Sequence, residues 1–397
     1  MIFLALLLAF QADFQSQFVA GLKALNDNNL AAAQASLLAA GKLQPSNARV
    51  WVALAQTYSK LKKPVLAADA ALRAEKLGAR DPVTLGTLAA YYEGQNKFAK
   101  AGDLAALAAA PERAMADYIQ ANQPKKAIAN ALATPGWEEK AGIRNLLGKA
   151  YEADGQVLKT LDELQAAIRL APGEEVYWSD LLEMLLDHYN FEEVIKAGQS
   201  ARQRFPRSAD IALSMGIAQY ASNQTDAALD SFLETTALDP DGEQSYLFLA
   251  RLIDDAHGRL QAIIARSVEY EKRNPESYVG YFLHARALIA DLEEPEQAEA
   301  LLRKSIGLNG KFWEAHYRLG ILLSNRHAYE AAEKEFRRSV ELNPTDPAIH
   351  YRLFRTLAAL GRTREAEAEL AVQRRVAAEH QAELARQTGN VKRLSIQ

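Results

Sequence analysis

Residues 313–346 read WEAHYRLGILLSNRHAYEAAEKEFRRSVELNPTD. The stretch carries apolar residues at i, i+3, i+4 and i+7 spacing twice over, the pattern of two amphipathic helices joined by a short polar turn. Leu319-Gly320 falls inside the first helix, Ala332 and Phe336 inside the second, and Pro344 ends it. A proline has no N–H to continue the ladder, so it marks a stop.

The stop recurs. Pro172, Pro206 and Pro240 are spaced 34 residues apart, and Pro45 and Pro275 follow similar apolar runs. Thirty-four residues before Pro344 stands Gly310, which ends a helix by accepting the left-handed cap conformation. The frame set by these stops starts units near 141, 175, 209, 243, 278, 313 and 347, those at 243 and 278 one residue longer than the rest. The unit at 141 repeats the pattern with Leu147-Gly148, Tyr151, Gly155, Leu164, Ala167 and Pro172. Three N-terminal units fit as well: Ala20-Gly21, Ala33, Leu37 and Pro45; then Trp51, Leu54-Ala55, Tyr58, Ala67 and Ala74; then Leu88-Ala89, Tyr92, Ala101 and Ala108. Gly148, Gly216 and Gly320 sit in predicted helix interiors, where glycine costs about 1 kcal/mol relative to alanine. A repeated cost implies a repeated cause, and close helix–helix approach supplies it; Ala167, Ala201 and Ala332 serve the same end on second helices.

This succession of Trp, Leu-Gly/Ala, Tyr, Ala, Phe, Ala and Pro positions resembles the tetratricopeptide repeat, over about residues 13–380. The resemblance implies an all-α, right-handed α-solenoid of about ten to eleven stacked helix-turn-helix units. It also implies that first helices line a concave groove holding peptides or extended protein segments. Carried over by position, that groove presents Asn145, Lys149 and Glu152; Ser179, Glu183 and Asp187; Leu213, Ile217 and Tyr220; Leu247, Arg251 and Asp254; and Phe282, Arg286 and Ile289. The last two units add Tyr317, Ile321 and Ser324, then Tyr351 and Arg355. The Lys, Asn and Arg set with which co-chaperones of the family grip a C-terminal carboxylate is not reproduced. The nearest cationic cluster, Arg318, Arg352 and Arg355 with Asn325, joins Tyr317, Ile321 and Tyr351 as the expected partner-binding patch, since Tyr and Arg dominate interface energetics. The competing reading has the two tyrosines merely covering neighbouring helices.

The organisation expected is an apolar segment at residues 1–12, N-terminal units over 13–107, regular units over 141–346, and a last unit with a long polar capping helix over 347–386. Between them, residues 108–140 end in Pro135-Gly136 and read as a shortened unit and hinge, and residues 387–397 read as a disordered tail. In the first segment, Ile2–Phe10 is far too short to span a bilayer and fits the core of an export signal. No Lys or Arg precedes it and no A-x-A site follows, so an N-terminal helix packing on the first repeat is the alternative. Export to a periplasm or envelope is expected if residues 1–12 act as a signal, and a cytoplasmic location otherwise.

Net charge is −4, which offers no global field to draw the chain onto nucleic acid. The balance runs +4 over residues 1–140, −12 over 141–346 and +4 beyond. With no cysteine, thiol nucleophiles, disulfides and Cys-based zinc sites are excluded. Phosphate-binding glycine loops, H-E-x-x-H and G-x-S-x-G are missing, and the repeats leave no stretch for a catalytic domain. His316 and His350 lie 34 apart, as a metal or pH-sensing ladder would; equally, they fill the position held by Trp51, Trp178, Tyr246 and Tyr281, which favours packing. Asp180, Glu183 and Asp187 share a helix face that reads as solvated rather than catalytic. The expected function is a non-catalytic scaffold without cofactor or metal, binding protein or peptide partners and making no stable membrane span. The alternative is an accessory module that presents substrates to a separate glycosyltransferase, peptidase or kinase in a bacterial envelope.

Overall fold

A computed structural model of the chain describes residues 2–78, 80–291 and 295–389. Among these there is no strand, and 22 α-helices follow one another in consecutive pairs. The chain divides into two compact units at Pro172/Gly173.

The first unit holds five pairs. They are α1 (Ile2–Asn26) and α2 (Leu30–Leu43), α3 (Ala48–Lys60) and α4 (Pro64–Lys76), and α5 (Pro82–Glu93) and α6 (Phe98–Leu107). After these come α7 (Pro111–Gln120) and α8 (Pro124–Leu132), then α9 (Ala141–Ala153) and α10 (Val157–Leu170). The pair α7/α8 is the short one: its helices have 10 and 9 residues against 13 and 14 in α9/α10. The missing length is taken up by Gly136, in the left-handed conformation at φ +64°, and a 3-10 turn at Trp137–Glu139.

The second unit holds six pairs: α11 (Glu175–Asp187) and α12 (Phe191–Arg204), α13 (Ala209–Ala221) and α14 (Thr225–Leu238), α15 (Glu243–Leu252) and α16 (Leu260–Arg273). The remaining three are α17 (Tyr278–Ala290) and α18 (Pro295–Leu308), α19 (Trp313–Asn325) and α20 (Tyr329–Leu342), and α21 (Pro347–Ala359) and α22 (Thr363–Gly389). The extra residues of the units at 243 and 278 fall in the turns α15–α16 and α17–α18. Helix α22 continues to Gly389, past the Arg386 expected from sequence; residues 390–397, the rest of the expected tail, lie outside the described residues.

Local chemistry sets the boundaries. The prolines that marked the frame fall in the four-residue turns after second helices. First helices end in a left-handed residue, usually Asn or Gly: Asn28, Asn96, Asn122, Asn223, Gly155 and Gly361. At Asn223 the cap is complete, its N–H reaching the Tyr220 carbonyl at 3.0 Å and that of Gln224 reaching the Gln219 carbonyl at 2.8 Å.

The interior glycines have the cause the sequence suggested. A Cβ on Gly320 would lie 2.7 Å from the Phe336 ring, on Gly216 2.7 Å from Phe232, and on Gly148 2.9 Å from Leu164. In all three the intruding side chain stands 16 residues further on, in the paired second helix. Ala167, Ala201 and Ala332 are fully buried.

The histidine ladder is a packing device. Trp51 Nε1 donates to the Pro45 carbonyl at 2.9 Å, and the hydroxyls of Tyr246 and Tyr281 donate to the carbonyls of Pro240 and Pro275 at 3.1 and 3.2 Å. His350 Nε2 makes the same reach, six residues back, to the Pro344 carbonyl at 2.9 Å, and its Nδ1 meets Glu369. His316 repeats this with Gly310 and Glu335. Each ring therefore closes the turn before its helix. His350→Phe keeps the ring and removes both polar contacts, so it is expected to lower stability by about 1–3 kcal/mol in urea denaturation. His350→Tyr, with a hydroxyl aimed at the same carbonyl, is expected to lose less; equal losses would exclude the hydrogen bond as the reason for the residue.

Candidate partner-binding surface

In the second unit, first helices contact one another in the pairs α11 with α13, α15 with α17 and α19 with α21. Where α11, α13 and α15 meet lies a cavity of about 730 Å³. Its floor is apolar: Leu186 from α11, Leu213 and Ile217 from α13, and Phe248 from α15, all half-buried. The floor is built from the repeat itself. Gly216 leaves room for Phe232, Phe232 stacks on Phe248 with centroids 4.7 Å apart, and Phe248 meets the edge of Tyr220 at 5.5 Å. Tyr220 is 40% exposed at the rim. Tyr189, which ends α11 in the left-handed conformation at φ +57°, packs edge-on against Phe191 beside it.

The rim is acidic. Glu183, Asp187 and Asp210 line the cavity with exposed carboxylates, no Lys or Arg lines it, and none of the three carboxylates has an ion-pair partner among the described residues. A cavity in the first unit contrasts with it. That one, about 640 Å³ between α4, α5 and α6, holds Glu75 and Asp103, but Lys100 lies 2.7 Å from Glu75 and Lys126 lies 2.9 Å from Asp103.

Of the residues the resemblance assigned to the groove, Ser179, Glu183, Asp187, Leu213, Ile217 and Tyr220 come together in this cavity. Asn145, Phe282 and Arg286 do not face a groove; they are buried, at 5%, 4% and 3% exposure. The reason at α17 is Phe312, in the turn before α19, which packs on Phe282 at 4.8 Å and on Tyr278 at 4.6 Å. Arg286 donates to Asp254 at 3.1 Å, and burial lowers its pKa, with the Asp254 charge opposing. Glu314 is also covered, its pKa raised by burial, with Arg251 3.7 Å away. Arg286 on α17 and Glu314 on α19 thus each have a counterion.

The patch at the last two units divides. Tyr317 and Ile321 are half-buried against the core, Tyr317 with Phe336 at 6.1 Å and Trp313 at 6.3 Å, and Arg318 lies over the Tyr317 ring at 5.5 Å. Asn325, Tyr351, Arg352 and Arg355 are exposed, and Arg355 donates to the Tyr351 hydroxyl at 3.3 Å. None of these seven lines the cavity.

Sequence reasoning passed over one buried ionisable group in the first unit. Asp117 on α7 is 5% exposed, and one of its carboxyl oxygens has no hydrogen-bond partner. Burial, then the charge of Glu93 and a hydrogen bond shared with it, push its pKa from 3.8 to about 6. Arg113 donates to Glu93 at 2.6 Å and to the Gly86 carbonyl at 2.8 Å, so the cation is committed to Glu93, whose pKa it lowers. An Asp at a buried position of an otherwise apolar helix face was the available signal.

Among the described residues no group of three or more His, Asp or Glu is arranged to hold a metal ion, and no helix is long and apolar enough to cross a membrane. Residues 326–386 match the family model of the tetratricopeptide repeat. The helix pairs that precede the matched segment continue its helix-turn-helix frame. Comparison with curated protein sequences gives no match. Among solved structures, the yeast Tom70 is similar at 14% identity, covering 95% of this chain and 96% of that one, with a TM-score of 0.42. The C-terminal part of a TPR repeat-containing protein from Cytophaga hutchinsonii shares 15% identity over 61% of this chain and 99% of its own, with a TM-score of 0.46. A thermophilic TPR protein from Thermus thermophilus shares 22% identity over 46% of this chain and 98% of its own, with a TM-score of 0.39.

Proposed function

We propose that the chain is a non-catalytic scaffold that holds a protein or peptide partner against the first-helix face of its second unit. The observation that carries this reading is the apolar cavity at α11, α13 and α15, rimmed by carboxylates without ion-pair partners. Contiguous exposed apolar surface with a polar rim is a mark of an interaction site. The exposed Tyr351 and Arg355 pair on α21 is a second contact on the same kind of face.

Photo-crosslinking of the full-length chain, followed by mapping of the captured peptides, tests the reading. Crosslinks are expected on α11, α13, α15 and α21; crosslinks confined to second helices would sink it. Changing Tyr317, Arg318 and Arg355 together to Ala is expected to weaken capture by about tenfold or more, the loss typical of an interface hot spot. Unchanged capture would remove the α19–α21 patch from the site and leave the cavity as the binding element.

A further inference from the structure

Resting on the groove reading, the geometry points to a specific ligand chemistry: we infer that the α11–α13–α15 cavity takes a protein segment whose large apolar side chains enter it and whose flanking Lys or Arg face Glu183, Asp187 and Asp210.

Three features of the cavity select this ligand. First, the volume, about 730 Å³, lies within the roughly 300–1,000 Å³ range of well-formed ligand sites, and Leu186, Leu213, Ile217 and Phe248 give it a mainly apolar floor, with Ser179, Ser214 and Gln244 as the neutral polar groups beside them. An apolar side chain gains dispersion contacts against these four apolar residues. Second, three carboxylates ring this floor with no cation among the lining residues. Low-dielectric walls focus the field of such a ring, so a cationic segment is drawn in and an anionic one repelled. Third, the neutralisation seen at other carboxylates is missing here. Asp254 has Arg286, Glu314 has Arg251, and Glu75 and Asp103 have lysines, whereas the three carboxylates that line this cavity have no ion-pair partner among the described residues. These carboxylates are exposed, which makes them suited to steering and selecting a partner, with a salt dependence that buried pairs would not show.

The test uses the full-length chain and three short fluorescent peptides of equal length. One alternates Leu and Phe with Lys and Arg, one replaces the basic residues with Asp and Glu, and one replaces them with Ser and Gln. Anisotropy titrations are expected to rank them basic, neutral, acidic, with at least about a tenfold difference between the extremes at low salt that shrinks as salt is raised. The triple change Glu183→Gln, Asp187→Asn and Asp210→Asn is expected to weaken the basic peptide by about tenfold and to flatten its salt dependence, while Ile217→Ser weakens the basic and neutral peptides alike. These surface carboxylates carry no ion pair within the fold, so far-ultraviolet circular dichroism of the triple variant should match the native protein. Equal binding of the basic and acidic peptides, or unchanged binding in the triple variant, overturns the charge assignment. Should no peptide bind while crosslinks still fall on α11–α15, the inferred chemistry fails and the groove reading stands; absence of first-helix crosslinks as well removes both.

Discussion

Phe336→Ala is expected to cost the second unit about 3–5 kcal/mol, and in that background Gly320→Ala should change sign. Phe336 is fully buried, and its ring fills the space that Gly320 leaves open, so truncation creates a cavity in the α19/α20 pair. In the native chain, Gly320→Ala gains about 1 kcal/mol of helix propensity. It also drives a Cβ to 2.7 Å from a ring held between α19 and α20, an overpacking that costs about 1–3 kcal/mol. The second effect wins, and the substitution destabilises. Without the ring, only the propensity gain remains. Stacked repeats need not unfold all at once, so the reading belongs to local amide exchange in α19 and α20 beside urea denaturation of the full chain. If Gly320→Ala destabilises both backgrounds equally, close approach to Phe336 is not what keeps the glycine.

Asp117→Asn is expected to stabilise the first unit by about 1–3 kcal/mol at pH 7.5 and by almost nothing near pH 4. The sign follows from the direction of the shift. The folded-state pKa of Asp117 is raised to about 6, so the folded protein binds this proton more tightly than the unfolded chain does. Its contribution is therefore fully present below about pH 3.8 and is lost as pH rises towards 6. Above that, the folded state carries a buried carboxylate beside the Glu93 carboxylate. A rise from 3.8 to about 6 corresponds to roughly 3 kcal/mol at most. The amide stays neutral at every pH and can donate to Glu93 as the protonated acid does. Thermal unfolding of native and variant chains across pH 4–8 reads the difference, and a gain that does not depend on pH would exclude the titration of Asp117 as its source.

Both predictions rest on the same architecture and differ in how visible they were beforehand. The 16-residue offset between Gly320 and Phe336 follows from the 34-residue frame, since a periodic sequence places the same side chains opposite one another in every pair. Asp117 obeys no such rule. Its helix belongs to the shortened pair, and the depth of its carboxylate depends on where α5 and Arg113 come to lie.

The candidate surface divides in the same way. Position along a first helix follows from helical periodicity, and this is why Ser179, Glu183, Asp187, Leu213, Ile217 and Tyr220 were legible as one face. Whether a position on that face meets solvent depends on side chains from the next turn and the next pair. Phe312 covers Phe282, and Asp254 holds Arg286 under the surface, which no spacing rule anticipates.

The sequence by itself determined the all-helical class, the 34-residue period, the turns at Pro and Gly, and the close approach at the interior glycines. These are properties of one or two helices at a time, set by backbone hydrogen bonding and apolar periodicity. Only the tertiary structure decided which carboxylates go without a counterion and which arginines are buried with one. Those outcomes come from distances between side chains far apart along the chain, and a Coulomb or desolvation energy is a function of distance and burial, not of sequence order.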